Sequence, residues 1–196
     1  METNVSNKMA AQTNFISSLP LLSYNSTGWN ENKSEFLKTL FISHQIGVGA
    51  IQEHFQLKNN LYKLNCFENF ETFSVGAQKS NNYIHSGRPS GGLTFIYNKN
   101  LCQYVERLPI PTSNRVQGMK LDLSGMPLLL INSYFPTDPG GGSVNEDLLL
   151  STLQDISSLI NSVGDHYCVI LMGDLNTDFS RNSIHAQIVK NFCVEK

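Results

Sequence analysis

The sequence predicts an α/β protein: a layered sandwich of two mixed β-sheets flanked by helices. Three observations carry that expectation. Short apolar runs recur along the chain, among them Val48-Gly49-Ala50-Ile51, Leu128 to Tyr134 and Tyr167 to Met172, each of strand rather than helix length. A few segments between them carry apolar residues at steps of three and four, the helical spacing. A chain of 196 residues, 40% hydrophobic and 15% charged, has the length and composition of one globular domain with its own core. No internal repeat, low-complexity run or linker divides it.

Residues Met1 to Ser18 are polar and lack the charged and apolar blocks of a secretory signal, so the expectation is a disordered arm over 1–18 and one domain over 19–196. Leu19 to Tyr24 reads as a short strand, broken by the turn cluster Asn25-Ser26-Thr27-Gly28. Trp29 to Lys33 reads as loop. Ser34 is then the expected cap of a helix with Phe36, Leu37, Leu40 and Phe41 on one face. Val48 to Ile51 is a second buried strand that ends in Gln52-Glu53-His54, and a weaker helical pattern runs from Phe55 to Leu64. Phe70 to Val75 alternates as a strand does. Gln78 to Arg88 is polar loop, closed by Pro89-Ser90-Gly91-Gly92, a tight turn into the strand Leu93 to Tyr97. A turn at Asn98-Lys99-Asn100 leads to a strand within Gln103 to Leu108.

Val116 to Leu123 alternates cleanly, which predicts one buried face. Ser124-Gly125-Met126-Pro127 reads as a hairpin turn into the core strand Leu128 to Tyr134. Asp138 to Asn145, with its three consecutive glycines, is a flexible loop. Ser143 and Glu146 stand at capping-box spacing before a helix whose Leu149, Leu153, Ile156, Ile160 and Val163 share a face. Tyr167 to Met172 reads as a strand buried on both faces, with Cys168 as a small core residue. The last amphipathic piece carries Ile184, Ile188, Val189 and Phe192.

Charge and cysteines narrow the function classes. A net charge of -2 gives no global pull toward nucleic acid, so polyanion binding has to be local or metal-assisted. Cys66, Cys102, Cys168 and Cys193 form no CxxC pair and have no histidine at zinc spacing, which fits a reducing compartment. No segment approaches the apolar length of a membrane span, and an intracellular site, nucleus or cytoplasm, is expected.

Four predicted strand ends carry polar groups suited to one site: Asn25 after Tyr24, Glu53 near Ile51, Tyr134 before Pro136, and Asp174 with Asn176. In layered α/β folds ligands gather at such ends. A carboxylate there can hold a hard cation, and an amide beside it can orient a phosphate oxygen or a water. Each residue also has an ordinary structural reading, as a turn asparagine, an exposed glutamate at a helix start, a partly buried tyrosine or an Asx turn. It is their joint order that argues for a site.

That order resembles the endonuclease/exonuclease/phosphatase superfamily of metal-dependent phosphoesterases. The resemblance is carried by Ser23-Tyr24-Asn25-Ser26-Thr27-Gly28, Ile51-Gln52-Glu53, Gly91-Gly92-Leu93, Asn132-Ser133-Tyr134-Phe135-Pro136 and Gly173-Asp174-Leu175-Asn176. The subgroup it looks most like is the endonuclease domain of non-LTR, LINE-type retrotransposon proteins. That likeness rests on Gln52-Glu53-His54, Gly87-Arg88-Pro89-Ser90-Gly91-Gly92, Ser113-Asn114-Arg115-Val116 and Asp174-Leu175-Asn176-Thr177-Asp178-Phe179-Ser180-Arg181.

The resemblance implies a DNase I-like fold and a Mg²⁺-dependent reaction, with Mn²⁺ as an alternative, that hydrolyses a DNA phosphodiester. It implies that Glu53 ligates the metal, that Asn25 helps hold it, and that Tyr134 hydrogen-bonds the scissile phosphate. Asp174 would orient or activate the attacking water, with Asn176 on the phosphate. Arg88, Arg115 and Arg181 are candidate DNA contacts. Against the family pattern, a terminal run with a metal-side aspartate and a Ser-Asp-His type motif has no counterpart here. The expectation is therefore a C-terminally incomplete copy that lacks its last strands and is impaired in turnover. Its partners would be DNA and, in a longer relative, the missing segment or a downstream reverse transcriptase. Of the five histidines, His44 and His166 read as structural, His85 as loop, His54 as pointing away from the site, and His185 as a subgroup residue without a catalytic role. The rival reading is a non-catalytic remnant that binds metal, nucleic acid or a protein partner.

Overall fold

The computed structural model describes residues 18–65, 67–79, 87–123, 125–137 and 145–195. Within them two four-stranded mixed sheets face each other. The first holds β1 (Leu21–Asn25), β2 (Val48–Gln52), β3 (Phe70–Val75) and β4 (Leu93–Asn98) in the order β1-β2-β4-β3. Its β1 and β2 are parallel, and β4 is antiparallel to both of its neighbours. The second holds β5 (Val105–Arg107), β6 (Val116–Leu123), β7 (Met126–Tyr134) and β8 (Cys168–Asp174) in chain order, with β7 and β8 parallel. Among the described residues three α-helices flank the sheets: α1 (Glu31–Ser43), α2 (Glu146–Asn161) and α3 (Ile184–Glu195). The architecture is DNase I-like, as expected.

The two-residue period of a strand explains the layers. Leu128 and Leu130 of β7 point between the sheets, where they meet Val48, Ala50, Phe95, Tyr97, Met119 and Leu121. Leu129 and Ile131 point the other way, onto Leu149, Leu153, Ile156 and Leu159 of α2 and Val189 of α3. A strand covered on both faces reads as an unbroken apolar run, and each such buried side chain contributes about 1.5–3 kcal/mol. On the opposite side Ile51 and Ile96 pack against Leu37 and Phe41 of α1. The order of layers is helix, sheet, sheet, helices.

Several local expectations are corrected. Helix α1 starts earlier than Ser34. Asn30 is its N-cap, its side-chain oxygen accepting from Lys33 N at 2.9 Å, because an asparagine caps as well as a serine and stands one turn earlier. Phe36 turns outward, 49% exposed, with its ring against Tyr24. The Phe55–Leu64 pattern forms a 3₁₀ helix over Lys58–Leu64, and a second spans Lys99–Tyr104 where a turn was expected. Strand β6 is buried on nearly both faces: Val116, Gln117, Gly118 and Met119 are all covered, since helix α2 lies on one side and the first sheet on the other.

Strand β8 reverses the expectation for Tyr167 to Met172. It is the edge of its sheet among the described residues, Cys168 is exposed, and Val169 is 39% exposed. An apolar run is the same string whether a strand is central or at an edge, so periodicity alone could not separate them. Helix α2 has Asn145 at its N-cap without a side-chain cap bond. Ser143 lies outside the described residues, as do 1–17, the 138–144 loop and His85. No helix among the described residues is long and apolar enough to cross a membrane.

Candidate active site

Four strands deliver the expected residues to one end of the sandwich. Because β1 runs parallel to β2, and β7 to β8, the C-terminal ends of each pair lie side by side. Asn25 is opposite Gln52 in the first sheet, and Tyr134 is opposite Asp174 in the second. Asn25 donates from Nδ2 to Asp174 Oδ2 at 2.7 Å, joining the sheets directly across the site. The Tyr134 hydroxyl donates to the Glu53 carboxylate. Asn25 with Asp174 and Tyr134 with Glu53 thus form two pairs at this end of the sandwich, and the charge of Asp174 is felt at Tyr134.

Local backbone fixes each group. Glu53 adopts a left-handed φ of 54°, turning the chain out of β2. Its carbonyl accepts from Gly28 N and the carbonyl of Gln52 accepts from Ser26 N, so the loop after β1 is tied to the loop after β2. Asp174 is held at both ends of its carboxylate: Oδ2 by Asn25, and Oδ1 by the Asn176 backbone N–H at 3.0 Å. Asn176, at φ 45°, donates its side-chain N–H to Phe135 O at 2.8 Å. Gly173 makes this possible. With φ 142°, a Cβ there would stand 1.9 Å from Ser133 O, so only glycine lets β8 run this close to β7.

Electrostatics keep Tyr134 a donor. Burial, then its hydrogen bond to Glu53 and the charges of Glu53 and Asp174, push the hydroxyl up to about 12, against the opposing pull of Arg115. Arg115 donates to the Tyr134 carbonyl at 3.1 Å and lies 5.2 Å above the Tyr134 ring. Burial lowers its pKa, while Tyr134 and Glu53 oppose that shift, and a guanidinium in such company stays charged. It brings a half-buried positive charge beside Tyr134 and Glu53. Among the described residues no group of three or more His, Cys, Asp or Glu side chains is clustered to hold a metal.

The other expected residues separate. Arg88 sits at the rim, 3.9 Å above the Phe55 ring, and donates to Thr27 O in the loop after Asn25. Arg181 forms an exposed ion pair with Asp178 at 3.1 Å and no hydrogen bond to the cluster. His54 points away, as expected. It is fully buried, with Nε2 3.1 Å from Val75 O and Nδ1 accepting from Gln56 N. Asn25 is more committed than sequence reasoning allowed, since its Oδ1 already accepts from Thr27 N. Sequence reasoning gave no role to Gln52 and Asn132, which lie buried behind the cluster; their signal was an amide inside each of two otherwise apolar runs.

No protein-family model and no curated protein matches the sequence. Solved structures match the fold. The endonuclease domain of TRAS1, a telomere-specific non-LTR retrotransposon, is 16% identical; the match covers 91% of this chain and 70% of that one, at a TM-score of 0.63. A 3′ phosphatase, NExo, from Neisseria, bound to a product DNA hairpin, is 13% identical, with 90% and 71% covered and a TM-score of 0.65. An endonuclease/exonuclease/phosphatase family protein from Leptotrichia buccalis C-1013-b is 16% identical, with 89% and 74% covered and a TM-score of 0.62. The fold of this chain is the one these solved structures share.

Proposed function

We propose that this chain is a divalent-metal-dependent phosphodiester hydrolase acting on DNA, of the non-LTR retrotransposon endonuclease kind. The observation that carries the reading is that Asn25 bonded to Asp174 and Tyr134 paired with Glu53 stand at the same end of the sandwich. Asn176 against Asp174 and the Arg115 guanidinium against Tyr134 support reading these groups as one site. The donors are hard oxygens, and Mg²⁺ binds through one or two carboxylates together with waters and substrate phosphates rather than through a full protein cage. Glu53 is the ligand, with Asn25 beside it, and Mn²⁺ would serve in the same place. The bound cation would neutralise charge building on the phosphate.

The chain's own groups do the rest. Tyr134 is a fixed O–H donor for a phosphate oxygen, in the position where charge develops. Asp174, locked by Asn25 and by the Asn176 N–H, is an acceptor that orients a water for attack. Asn176 spends one side-chain N–H on Phe135 O, which leaves the other for the phosphate. Arg115 adds fixed positive charge, and Arg88 at the rim meets the DNA backbone. By the same resemblance the partners are DNA and, in such an element, a reverse transcriptase.

One observation favours a second reading, binding with slow or absent turnover. Both Asp174 oxygens are already accepting hydrogen bonds, and among the described residues none of them comes from an imidazole. A plasmid-nicking assay with Mg²⁺ separates the readings. The hydrolase reading expects nicks that vanish with Glu53→Gln and with Asp174→Asn. Metal-dependent DNA binding without nicks supports the second reading. Nicking that survives both substitutions overturns the assignment of the site.

A further inference from the structure

We propose that Gln52 and Asn132 act as a positioning pair, an amide bridge between the two sheets that sets where Glu53 stands relative to Tyr134. The inference deepens the reading above, since it takes Glu53 and Tyr134 as groups of the reacting site.

The two residues lie 80 positions apart and in different sheets, and Gln52 is 1% exposed and Asn132 fully buried. Gln52 Nε2 donates to Asn132 Oδ1 at 2.8 Å and to Ala50 O at 2.9 Å. Asn132 Nδ2 donates to Ile51 O at 3.2 Å and to Thr94 O at 3.3 Å. Asn132, from the second sheet, thus bonds β2 on both sides of the Gln52 backbone and reaches β4 as well. Gln52 is followed directly by Glu53, and Asn132 stands two residues before Tyr134 on the same strand. The Gln52 carbonyl also accepts from Ser26 N and from Ser26 Oγ, which extends the bridge to the loop after Asn25.

Stability is a poor reason for this arrangement. A buried amide pair gains little over hydrocarbon of the same shape, while breaking only one partner leaves the other unsatisfied. Around the pair the two sheets meet through Val48, Ala50, Phe95, Met119, Leu121 and Leu130. That contact is non-directional, so register between the sheets falls to the hydrogen bonds that cross them. Among these are Asn25 to Asp174, Gln117 to Phe73 O and this amide pair, of which the pair alone sits on the residue before Glu53. A hydrogen bond of 2.8 Å fixes both distance and direction. It stands one residue behind Glu53, where a slip between the sheets moves the carboxylate against the tyrosine hydroxyl. Misplacement by about 1 Å in a reacting site costs about 100-fold in rate.

The test compares Gln52→Met, Asn132→Leu and the double variant with the unaltered chain. Three readouts are used: urea unfolding, ultraviolet difference titration of Tyr134 against the same background carrying Tyr134→Phe, and plasmid nicking with Mg²⁺. The single variants are expected to lose stability and the double variant to regain most of it. A pair that only stabilised the fold would bring Tyr134 back with the stability. The positioning role expects otherwise: in the double variant the Tyr134 hydroxyl titrates below its value in the unaltered chain, though burial still holds it above ordinary tyrosine, and nicking falls about 10- to 100-fold. A stable double variant whose Tyr134 titrates as it does in the unaltered chain overturns the proposal. Should the double variant fail to fold, the Tyr134 titration of Gln52→Met decides by the same criterion. The titration needs neither metal nor DNA, so a chain that never nicks sinks the hydrolase reading while the positioning role is still decided.

Discussion

Gly173 is the residue with the least freedom in the site. A methyl group there meets the Ser133 carbonyl at 1.9 Å, and the φ of 142° is one that side-chain-bearing residues rarely adopt. Gly173→Ala is expected to cost about 2–4 kcal/mol, because the obstacle is backbone of the neighbouring strand and has no rotamer to move to. Urea unfolding measures it, and a loss under about 1 kcal/mol would mean that β8 shifts freely along β7. Glu53 is the matching case for charge. Glu53→Gln keeps the shape but removes the anion, so Mg²⁺ and Mn²⁺ affinity should disappear in a calorimetric titration. The Tyr134 hydroxyl should then titrate lower as well, though still above ordinary tyrosine, since burial is the larger cause of its rise. Unchanged metal affinity in the variant would put the cation elsewhere.

Elements differ in how much their neighbours decide. Strand β6 alternates in sequence yet is buried on nearly both faces, because Gly118 admits Leu159 of α2 against its back while Gln117 reaches Phe73 O of β3 on its front. Strand β8 has the opposite character, an apolar run with one side unpaired among the described residues. It carries no lysine or proline between Cys168 and Met172, the usual guards of an edge. Val169 is 39% exposed, and a lysine there adds charge without entering the core. Val169→Lys is expected to lower concentration-dependent association, read by light scattering, and to leave urea stability within about 0.5 kcal/mol. Equal association in both chains would show that β8 is not the adhesive edge.

At the scale of the whole molecule, His54 makes stability depend on pH. Its ring is buried between Val75 O and Gln56 N and lies against Gly92, so it ties the exit of β2 to the end of β3 and the entry of β4. Burial lowers its pKa from 6.5 to about 4, against the raising effect of backbone hydrogen bonds at Leu93 and Val75. The unfolded chain therefore binds the proton first. Stability is fully present above about pH 6.5 and falls as the pH drops toward 4, by about 3 kcal/mol in total. Urea unfolding at pH 7.5 and 4.5 should show this loss, and His54→Gln, which has no proton to gain, should remove most of it. An unchanged slope in the variant would assign the loss to other groups.

The sequence by itself determined the class of fold and named the strand-end residues from which a site is proposed. Apolar runs of strand length and helical spacing are local properties, and the order Asn25, Glu53, Tyr134, Asp174, Asn176 is written along the chain. The structure pairs Asn25 with Asp174 and Tyr134 with Glu53, with Asn176 fixed against Asp174 and Phe135. The same string left open which strand is an edge, so Cys168 read as core and is exposed. It gave Ser34 as the cap where Asn30 holds that place, since either residue type can accept an N–H of a first turn. Arg88, Arg115 and Arg181 looked alike as loop arginines, yet only Arg115 lies against Tyr134 beside Glu53. Gln52 and Asn132 were two amides in apolar runs until the sheets met. Those answers depend on pairing between residues tens to more than a hundred positions apart, which no local pattern encodes, and only the packing of one sheet on the other supplied the partner.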